Sequence, residues 1–201
     1  MKTLFIKSKQ KVSGLNLSNK ELSRLPRKLF LAYSIQYVDL AKQIKKQLEK
    51  NKIKITKFQQ VLGCSRVNTK LPVLLIGTGR FHAINLYLQS PVVYLLENNK
   101  IIKIPQQEID RIKAKKKTAL IKFLKADNIG ILVTTKPGQE NMKKAIMLKQ
   151  KLQKQGKNVY IFISNNIDTN QFENFNIDSW VNTACPGLAI DNPDIINFLE
   201  I

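Results

Sequence analysis

The feature that most constrains this chain is the alternation of short apolar runs with lysine-rich amphipathic segments. LPVLLIG (71–77) and IGILV (129–133) are apolar throughout, too short for helices and typical of buried strands. Between such runs, apolar residues recur three or four positions apart, as in Val38, Ala41 and Ile44. This spacing places them on one face of a helix. Alternating strands and helices predict an α/β fold with parallel sheets and helices on both faces.

The pattern occurs twice along the chain. Each copy has a strand, small or hydroxyl-bearing residues, a glutamine (Gln36 or Gln139), an amphipathic helix and another strand. We therefore expect two similar parallel-sheet α/β domains, built as Rossmann-like repeats, over 25–108 and 109–201. Residues 1–24 are expected to form an N-terminal arm with one strand in MKTLFIK. Ligands of such sheets gather at the carboxyl ends of the strands, so we expect the loops there to face a shared crevice.

The boundaries of several elements follow from the same patterns. One strand is expected over 28–35, another in IKITKFQQVLGC that ends at Cys64, and two more in PVVYLL and IIKI, joined by an Asn-Asn turn. In the second copy, Pro137, Gly138 and Gln139 are expected to turn the chain into a helix from Met142 to Gln155, with Gly156 as its C-cap. DSWVNT is expected to be the strand that leads to Cys185.

The chain is strongly basic, with 34 Lys and Arg against 14 Asp and Glu and a net charge of +20. One interpretation is a polyanionic partner, such as RNA or an acidic protein surface. The other is compositional, because lysine greatly outnumbers arginine alongside abundant Ile and Asn, a mixture that an A/T-rich genome produces. The lysines are spread over helix faces and are not interleaved with aromatic residues. The compositional interpretation is therefore favoured, and nucleic-acid binding is not.

The apolar runs are far shorter than the ~20 residues of a membrane helix, and MKTLFIKSKQ lacks the features of a signal peptide. We expect a soluble cytoplasmic protein that does not engage a membrane. Its two cysteines, Cys64 and Cys185, are too few for a disulfide framework and are expected to be free thiols or metal ligands.

Both cysteines are expected in loops that follow strands, in equivalent places of the two copies. A single free cysteine is most often a small buried apolar residue, but thiolates at strand ends suit iron–sulfur ligation. Zinc is disfavoured because the chain has no CxxC pair and one histidine. A catalytic pair of a cysteine with His82 has no support from spacing.

Two further loops have candidate binding residues. GTGRFH (77–82) has Gly77 and Gly79 for close backbone approach, with the cation of Arg80 and the imidazole of His82. It suits a carboxylate or phosphate, or it is a tight turn with a structural histidine. TTKPGQ (134–139) ends a strand and opens a helix, whose N-terminus attracts anions together with Lys136. Taken alone, it is better interpreted as a Pro-Gly turn.

Five segments together are similar to the diphthamide synthase family, the 2-(3-amino-3-carboxypropyl)histidine synthases of archaea and eukaryotes. They are LAYSIQYVDLAKQIKKQLE, QVLGC, LLIGTGRFHAINL, VTTKPGQ and WVNTACPGLAIDNP, in the order and at the spacing of the family. The resemblance runs from about Leu25 to about Pro193 and is specific in the combination of QVLGC, GTGRFH and NTACP.

The resemblance implies an unusual radical enzyme. Family members have three similar α/β domains, each of which donates one cysteine to a 4Fe–4S cluster whose open iron binds S-adenosylmethionine. Reductive cleavage then yields a 3-amino-3-carboxypropyl radical that adds to a histidine of translation elongation factor 2. Cys64 and Cys185 would be cluster ligands of the middle and last domains. The residues that would line the cofactor pocket are Gly77, Gly79, Arg80, His82, Lys136, Pro137, Gly138 and Gln139.

The chain departs from the family pattern in two ways. The first domain and its cysteine are expected to be absent, so a partner chain or a homodimer mate would supply the third thiolate. Gly187 stands where the family usually has arginine, and Arg66 or Arg80 would have to replace it. Two alternatives stay open: a non-catalytic accessory homologue, and a basic protein that contacts RNA or the translation machinery. The resemblance identifies no electron donor.

Overall fold

The computed structural model describes residues 4, 6, 8–10, 15–190 and 192–201. The chain divides into two compact units, Met1–Ile109 and Asp110–Ile201. Most of the predicted MKTLFIK strand lies outside the described residues. Within the expected N-terminal arm, a short helix, α1 (Asn19–Leu22), is present, and Leu15 and Leu17 are buried in the core of the first unit.

The first unit is built on a five-stranded sheet in the order β2-β1-β3-β4-β5. Its strands are β1 (Lys28–Tyr33), β2 (Lys54–Gln60), β3 (Val73–Ile76), β4 (Val93–Glu97) and β5 (Lys100–Lys103). Strands β1 to β4 are parallel, as predicted, while β5 returns antiparallel to β4. The predicted Asn-Asn turn makes this return, with Asn98 at φ 47° and Asn99 at φ 62°, the conformation of a tight hairpin turn.

The helices of the first unit follow the predicted periodicity. Helix α2 (Val38–Lys50) buries Leu40, Ala41, Ile44 and Leu48 against the sheet, whose interior strand β1 is itself almost wholly buried. Helix α3 (Arg80–Tyr87) follows β3. Helix α4 (Gln106–Lys125) begins in the first unit, but from Asp110 onwards it belongs to the second, where Ala119 and Phe123 are buried in the core. No helix among the described residues has the length and apolar character required to cross a bilayer.

The second unit has a parallel four-stranded sheet in the order β7-β6-β8-β9. Its strands are β6 (Asn128–Thr134), β7 (Asn158–Ser164), β8 (Ser179–Asn182) and β9 (Ile195–Asn197). Helix α5 (Met142–Gln153) begins where predicted and ends two residues early. Gly156 closes it at φ 82°, with Gly156 N–H donating to Gln153 O and Lys157 N–H to Leu152 O, which confirms the predicted cap. Strand β9 was not predicted.

The two sheets share one topology, because β2-β1-β3-β4 corresponds strand by strand to β7-β6-β8-β9. The predicted α/β fold with two similar repeats is therefore confirmed. The prediction that the two cysteines occupy equivalent places is wrong. Cys64 follows β2, whose counterpart is β7, whereas Cys185 follows β8, whose counterpart is β3. The loop equivalent to that of Cys185 is therefore GTGRFH, which follows β3.

Candidate functional site

Cys64 lies in a turn four residues beyond the last residue of β2. The prediction that this strand continues to Cys64 is wrong, because β2 ends at Gln60 and the chain then leaves the sheet. The thiol is free and exposed. It therefore has the accessibility that a ligand to an external group requires, in a loop at the carboxyl edge of the sheet.

Two polar side chains, one on α3 and one in the turn that follows it, hold the Cys64 loop. Asn85 Nδ2 donates to the carbonyl oxygens of Gly63 at 2.8 Å and of Ser65 at 3.4 Å. Gln89, one turn further, donates to Ser65 O at 3.1 Å and accepts from Val67 N–H at 2.6 Å. The backbone on both sides of Cys64 is thus held by two amide side chains spaced four residues apart.

Gly63 lets the loop approach the first turn of α3. A Cβ atom added at Gly63 would overlap the ring of Phe81. Phe81 precedes Asn85 by four residues and lies on the same face of the helix. The glycine before the cysteine therefore permits a close contact that a larger residue would disrupt.

The glycines of GTGRFH have different roles. Gly77 is buried at the end of β3, where an added Cβ would lie 2.8 Å from Ser34 Oγ at the end of β1. Gly79 has φ 95°, which favours glycine, and directly precedes α3. Gly77 and Thr78 line a cavity of about 260 Å³ together with Tyr37 and Glu97. Among the predicted site residues of this unit, Gly77 lines that cavity.

Arg80 is engaged in an ion pair within its own unit. Its guanidinium makes a two-pronged contact with Glu108, with Nε–Oε1 at 3.1 Å and Nη2–Oε2 at 2.5 Å. The hydrogen bond and the charge of Glu108 raise the pKa of Arg80. A bound anion would therefore compete with Glu108 for the Arg80 guanidinium, and the predicted role of Arg80 in the cofactor pocket stays a prediction.

His82 lies in the first turn of α3 and is half-buried. Burial lowers its pKa from the ordinary value, so the imidazole is neutral at pH 7. Its ring meets the Phe81 ring edge-on, with the centroids 5.6 Å apart. A neutral imidazole of this kind suits hydrogen bonding or metal coordination better than electrostatic binding of an anion.

In the second unit, a buried pair of asparagines holds the Cys185 loop. Asn182 Nδ2 donates to Cys185 O and to Asn197 Oδ1, both at 2.8 Å, and Asn182 Oδ1 accepts from Ala184 N–H at 2.9 Å. Both asparagines are less than 8% exposed. The half-buried free thiol of Cys185 therefore lies in a hydrogen-bonded loop that ends in a 3-10 helix over Pro186–Ala189.

The structure brings three of the predicted residues of the second unit together. Lys136, Gln139 and Cys185 line one cavity of about 120 Å³, with Asn165 and Asn166 among its other walls. Asn141 joins the two loops, since its Nδ2 donates to Gln139 O at 3.0 Å and to Thr183 O at 2.8 Å.

Pro137 and Gly138 form the exposed tip of the turn, and Gly138 has φ 78°. They are not among the described residues that line the cavity of Cys185. Their role in the structure is to reverse the chain between β6 and α5, as the Pro-Gly turn interpretation predicts.

Sequence reasoning missed the residues that position the two thiols. These are Phe81, Asn85, Gln89, Asn141, Asn182 and Asn197. The spacing of Phe81 and Asn85 on α3 was a usable signal, since residues four apart share a helix face. Gln89 continues the spacing but lies in the turn after the helix. Asn182 and Asn197 are 15 positions apart, and no local pattern links them.

Within the described part of the chain, no group of three or more His, Cys, Asp and Glu side chains could hold a metal ion. The thiolate donors are suited in kind to iron–sulfur ligation, because both thiols are free and lie in loops at strand ends. They are too few for a complete cluster site, which ordinarily has four protein ligands. The crevice expected between the two units stays a prediction.

The model of the family described as "Putative diphthamide synthesis protein" matches residues 1–199. The 2-(3-amino-3-carboxypropyl)histidine synthase of Pyrococcus horikoshii is 24% identical over 205 residues, covering 94% of this chain and 60% of the relative. Subunit 1 of the synthase of Yarrowia lipolytica is 28% identical over 141 residues, covering 66% of this chain and 32% of the relative.

A crystal structure of Dph2 from Pyrococcus horikoshii with a 4Fe-4S cluster has the same fold, with a TM-score of 0.77 at 24% identity. The similarity covers 90% of this chain and 58% of that one. The chain thus spans about 60% or less of the length of these relatives. The family resemblance and the fold expected from the sequence are both confirmed: this chain belongs to the diphthamide synthesis protein family.

Proposed function

We propose that this protein takes part in the first step of diphthamide biosynthesis, the transfer of a 3-amino-3-carboxypropyl group from S-adenosylmethionine to a histidine of translation elongation factor 2. In this proposal Cys64 and Cys185 are ligands of a 4Fe–4S cluster, and a partner chain supplies a third cysteine. Reductive cleavage of S-adenosylmethionine is the chemistry that such a cluster supplies when it is bound. The cytoplasm, where translation takes place, is the proposed compartment.

The observation that carries the proposal is the Cys185 site. A half-buried free thiol lies in a cavity with Lys136 and Gln139, and the buried pair of Asn182 and Asn197 holds its backbone. Preorganisation of the loop is what ligation of a cluster needs, because a mobile thiolate would lose entropy on binding. The presence of a 4Fe-4S cluster in the similar Dph2 structure supports the same assignment.

The other residues have roles in binding and orientation. The Lys136 ammonium is suited to the carboxylate of S-adenosylmethionine, because it is an exposed cation on the wall of the same cavity. Gln139 has both a donor and an acceptor for the amino acid part of the cofactor. His82, neutral at pH 7, is suited to a hydrogen bond. Arg66 is the better candidate to replace the arginine absent at Gly187, because it is exposed while Arg80 pairs with Glu108.

In this proposal the third cluster donor comes from a partner. Two thiolates leave a site-differentiated cluster one ligand short. A third cysteine from a separate chain would complete the site, and a homodimer that pools two cysteines from each chain is the second arrangement that supplies enough thiolates. The two arrangements differ in whether the chain alone assembles a cluster.

The test is anaerobic reconstitution with iron and sulfide, followed by iron analysis and EPR of the reduced protein with and without S-adenosylmethionine. Wild type is compared with Cys64→Ala and Cys185→Ala. We expect iron incorporation to depend on both cysteines and the EPR spectrum to change when S-adenosylmethionine is added. Asn174→Ala is the matched control, because it deletes an exposed amide side chain of the second unit. This variant should bind as much iron as the wild type.

A second stage measures product on elongation factor 2 with radiolabelled S-adenosylmethionine. A cysteine-dependent cluster without product would favour the non-catalytic accessory homologue. Iron that does not depend on either cysteine would overturn the cluster assignment. In that case the basic surface and a role in contacting RNA or the translation machinery become the better interpretation.

A further inference from the structure

A second cavity lies in the second unit, at the opposite edge of its sheet from Cys185. Its volume is about 560 Å³, within the range of small-molecule sites. The residues that precede β8 and β9, Asp178 and Asp194, line it, as does Lys122 near the end of α4. The cavity therefore opens at the amino ends of the strands, whereas the Cys185 loop follows the carboxyl end of β8.

Aromatic rings form one wall of this cavity. Phe172 stacks on Trp180, with the ring centroids 4.1 Å apart and the planes 22° from parallel. Phe175 meets Trp180 edge-on at 6.1 Å. Trp180 is buried, but Phe175 is 45% exposed. An apolar ring left accessible at the mouth of a cavity offers a π-face to a ligand.

The charge of the cavity is opposite to that of the chain. Three carboxylates, those of Glu173, Asp178 and Asp194, and one ammonium, that of Lys122, line it. The chain as a whole has a net charge of +20 with only 14 acidic residues. Carboxylates beside aromatic faces are the combination that recognises organic cations, through ion pairing and cation–π attraction.

The three carboxylates differ in the contacts that they make within the fold. Asp178 Oδ2 accepts the backbone N–H groups of Asp127 and Asn128, and Asp194 pairs with Lys122. Glu173 lies on the exposed side of the 3-10 helix Thr169–Asn174, two residues from Phe175. Glu173 and Phe175 therefore offer an anion and a ring from one short segment.

We propose that this cavity, formed by Phe172, Phe175 and Trp180 with Glu173, Asp178 and Asp194, binds an organic cation, with a guanidinium group as the best fit. A planar guanidinium stacks on an aromatic face while it pairs with a carboxylate, which a compact ammonium does less well. The site shares no lining residue with the cavity of Cys185 and does not depend on the proposed function. The cation is either free or carried by an arginine side chain of a polypeptide.

The test uses the tryptophan of the site as its reporter, since the chain has one Trp. Fluorescence of Trp180 is titrated with N-acetylarginine amide and with an arginine-containing glycine pentapeptide. N-acetylcitrulline amide, of similar shape without the charge, is the matched control ligand. We expect saturable changes with the two arginine ligands, with Kd on the order of 1 mM for contacts of this kind, and no saturable change with citrulline.

Two variants locate the binding. Glu173→Gln and Phe175→Ala should each raise Kd by about threefold, the value of one exposed ion pair or cation–π contact. Glu49→Gln removes one exposed carboxylate from α2 in the first unit and should leave Kd unchanged. Far-UV circular dichroism and thermal unfolding establish that the variants are folded. If Phe175→Ala does not fold, Glu173→Gln still tests the site, because it preserves the shape of the side chain and removes only its charge.

Tighter binding of the pentapeptide would assign the site to a polypeptide partner, and equal binding would assign it to a free cation. Equal responses to arginine and citrulline would overturn the proposal. So would a Kd that Glu173→Gln leaves unchanged.

Discussion

The side chain of Asn182 donates a hydrogen bond to the backbone carbonyl of Cys185 at 2.8 Å, in a site where Asn182 itself is 2% exposed. The same amide group contacts Asn197 and Ala184. Removal of a buried amide leaves these groups unpaired, and each unpaired buried group destabilises the fold. Asn182 is therefore one of the residues that hold the loop of the thiol, together with Asn141 and Asn197.

Asn182→Ala should reduce the free energy of unfolding by about 1–3 kcal/mol and increase the rate at which iodoacetamide alkylates Cys185. Both are measured in a Cys64→Ala background, so that one thiol reports. Asn174→Ala, an exposed amide of the same unit, should change stability by no more than about 0.5 kcal/mol. An alkylation rate equal to that of the parent would show that Asn182 does not hold the loop.

Gly63→Ala should displace the Cys64 loop, because the added methyl group would overlap the Phe81 ring. We expect a loss of about 1–3 kcal/mol in the free energy of unfolding, as in other overpacked sites. Amide hydrogen exchange at Val67, which lies in the same loop as Cys64, should also accelerate, since its N–H donates to Gln89 Oε1.

Phe81→Leu in the Gly63→Ala background tests the cause of that effect. Removal of the ring should restore part of the lost stability, giving a coupling free energy of about 0.5 kcal/mol or more between the two sites. Additive effects of the two substitutions would mean that the glycine is needed for another reason.

The sheets could be predicted from the sequence because their central strands are buried on both faces. Strands β1 and β3 are short runs of mostly apolar residues, and such runs are typical of strands buried on both faces of a parallel sheet. Strand β9 was missed because three residues, Ile195–Asn197, are too few to show a period. This segment is a strand because it pairs with β8, and the sequence alone does not reveal that pairing.

The candidate site could be predicted as a set of loops but not as a set of contacts. Cys185, Lys136 and Gln139 were expected at strand ends and share a cavity. The partner of Arg80, by contrast, is Glu108, 28 positions away on another helix. Sequence patterns reveal neighbours within one element, whereas this ion pair depends on where the fold of the first unit places the first turns of α3 and α4.

The ion pair of Arg80 and Glu108 should contribute little to stability despite its two-pronged geometry. The Arg80 side chain is 54% exposed, so water and salt screen the attraction. A double-mutant cycle with Arg80→Ala and Glu108→Ala should give a coupling free energy of no more than about 1 kcal/mol at low salt. The coupling should fall towards zero in 1 M NaCl, and a coupling that persists there would contradict the screened, exposed character of the pair.

His82 should make the stability of the protein dependent on pH below neutrality. Burial lowers its pKa in the folded protein, whereas the unfolded chain has the ordinary value of about 6.5. Above that value, both states are neutral and the free energy of unfolding is flat with respect to this group. As the pH falls through it, the unfolded state binds a proton first, so stability falls until the folded state is protonated as well.

This prediction is checked by urea unfolding at several pH values between about 7.5 and 5, below which carboxylates also titrate. His82→Gln should reduce the loss of stability in that window relative to wild type. The imidazole can be followed directly, because the chain has one histidine and its ring protons give a single NMR titration. A native-state pKa at or above the unfolded value would mean that solvent reaches the ring freely, and the neutral imidazole assigned to the GTGRFH loop at pH 7 would then have to be abandoned.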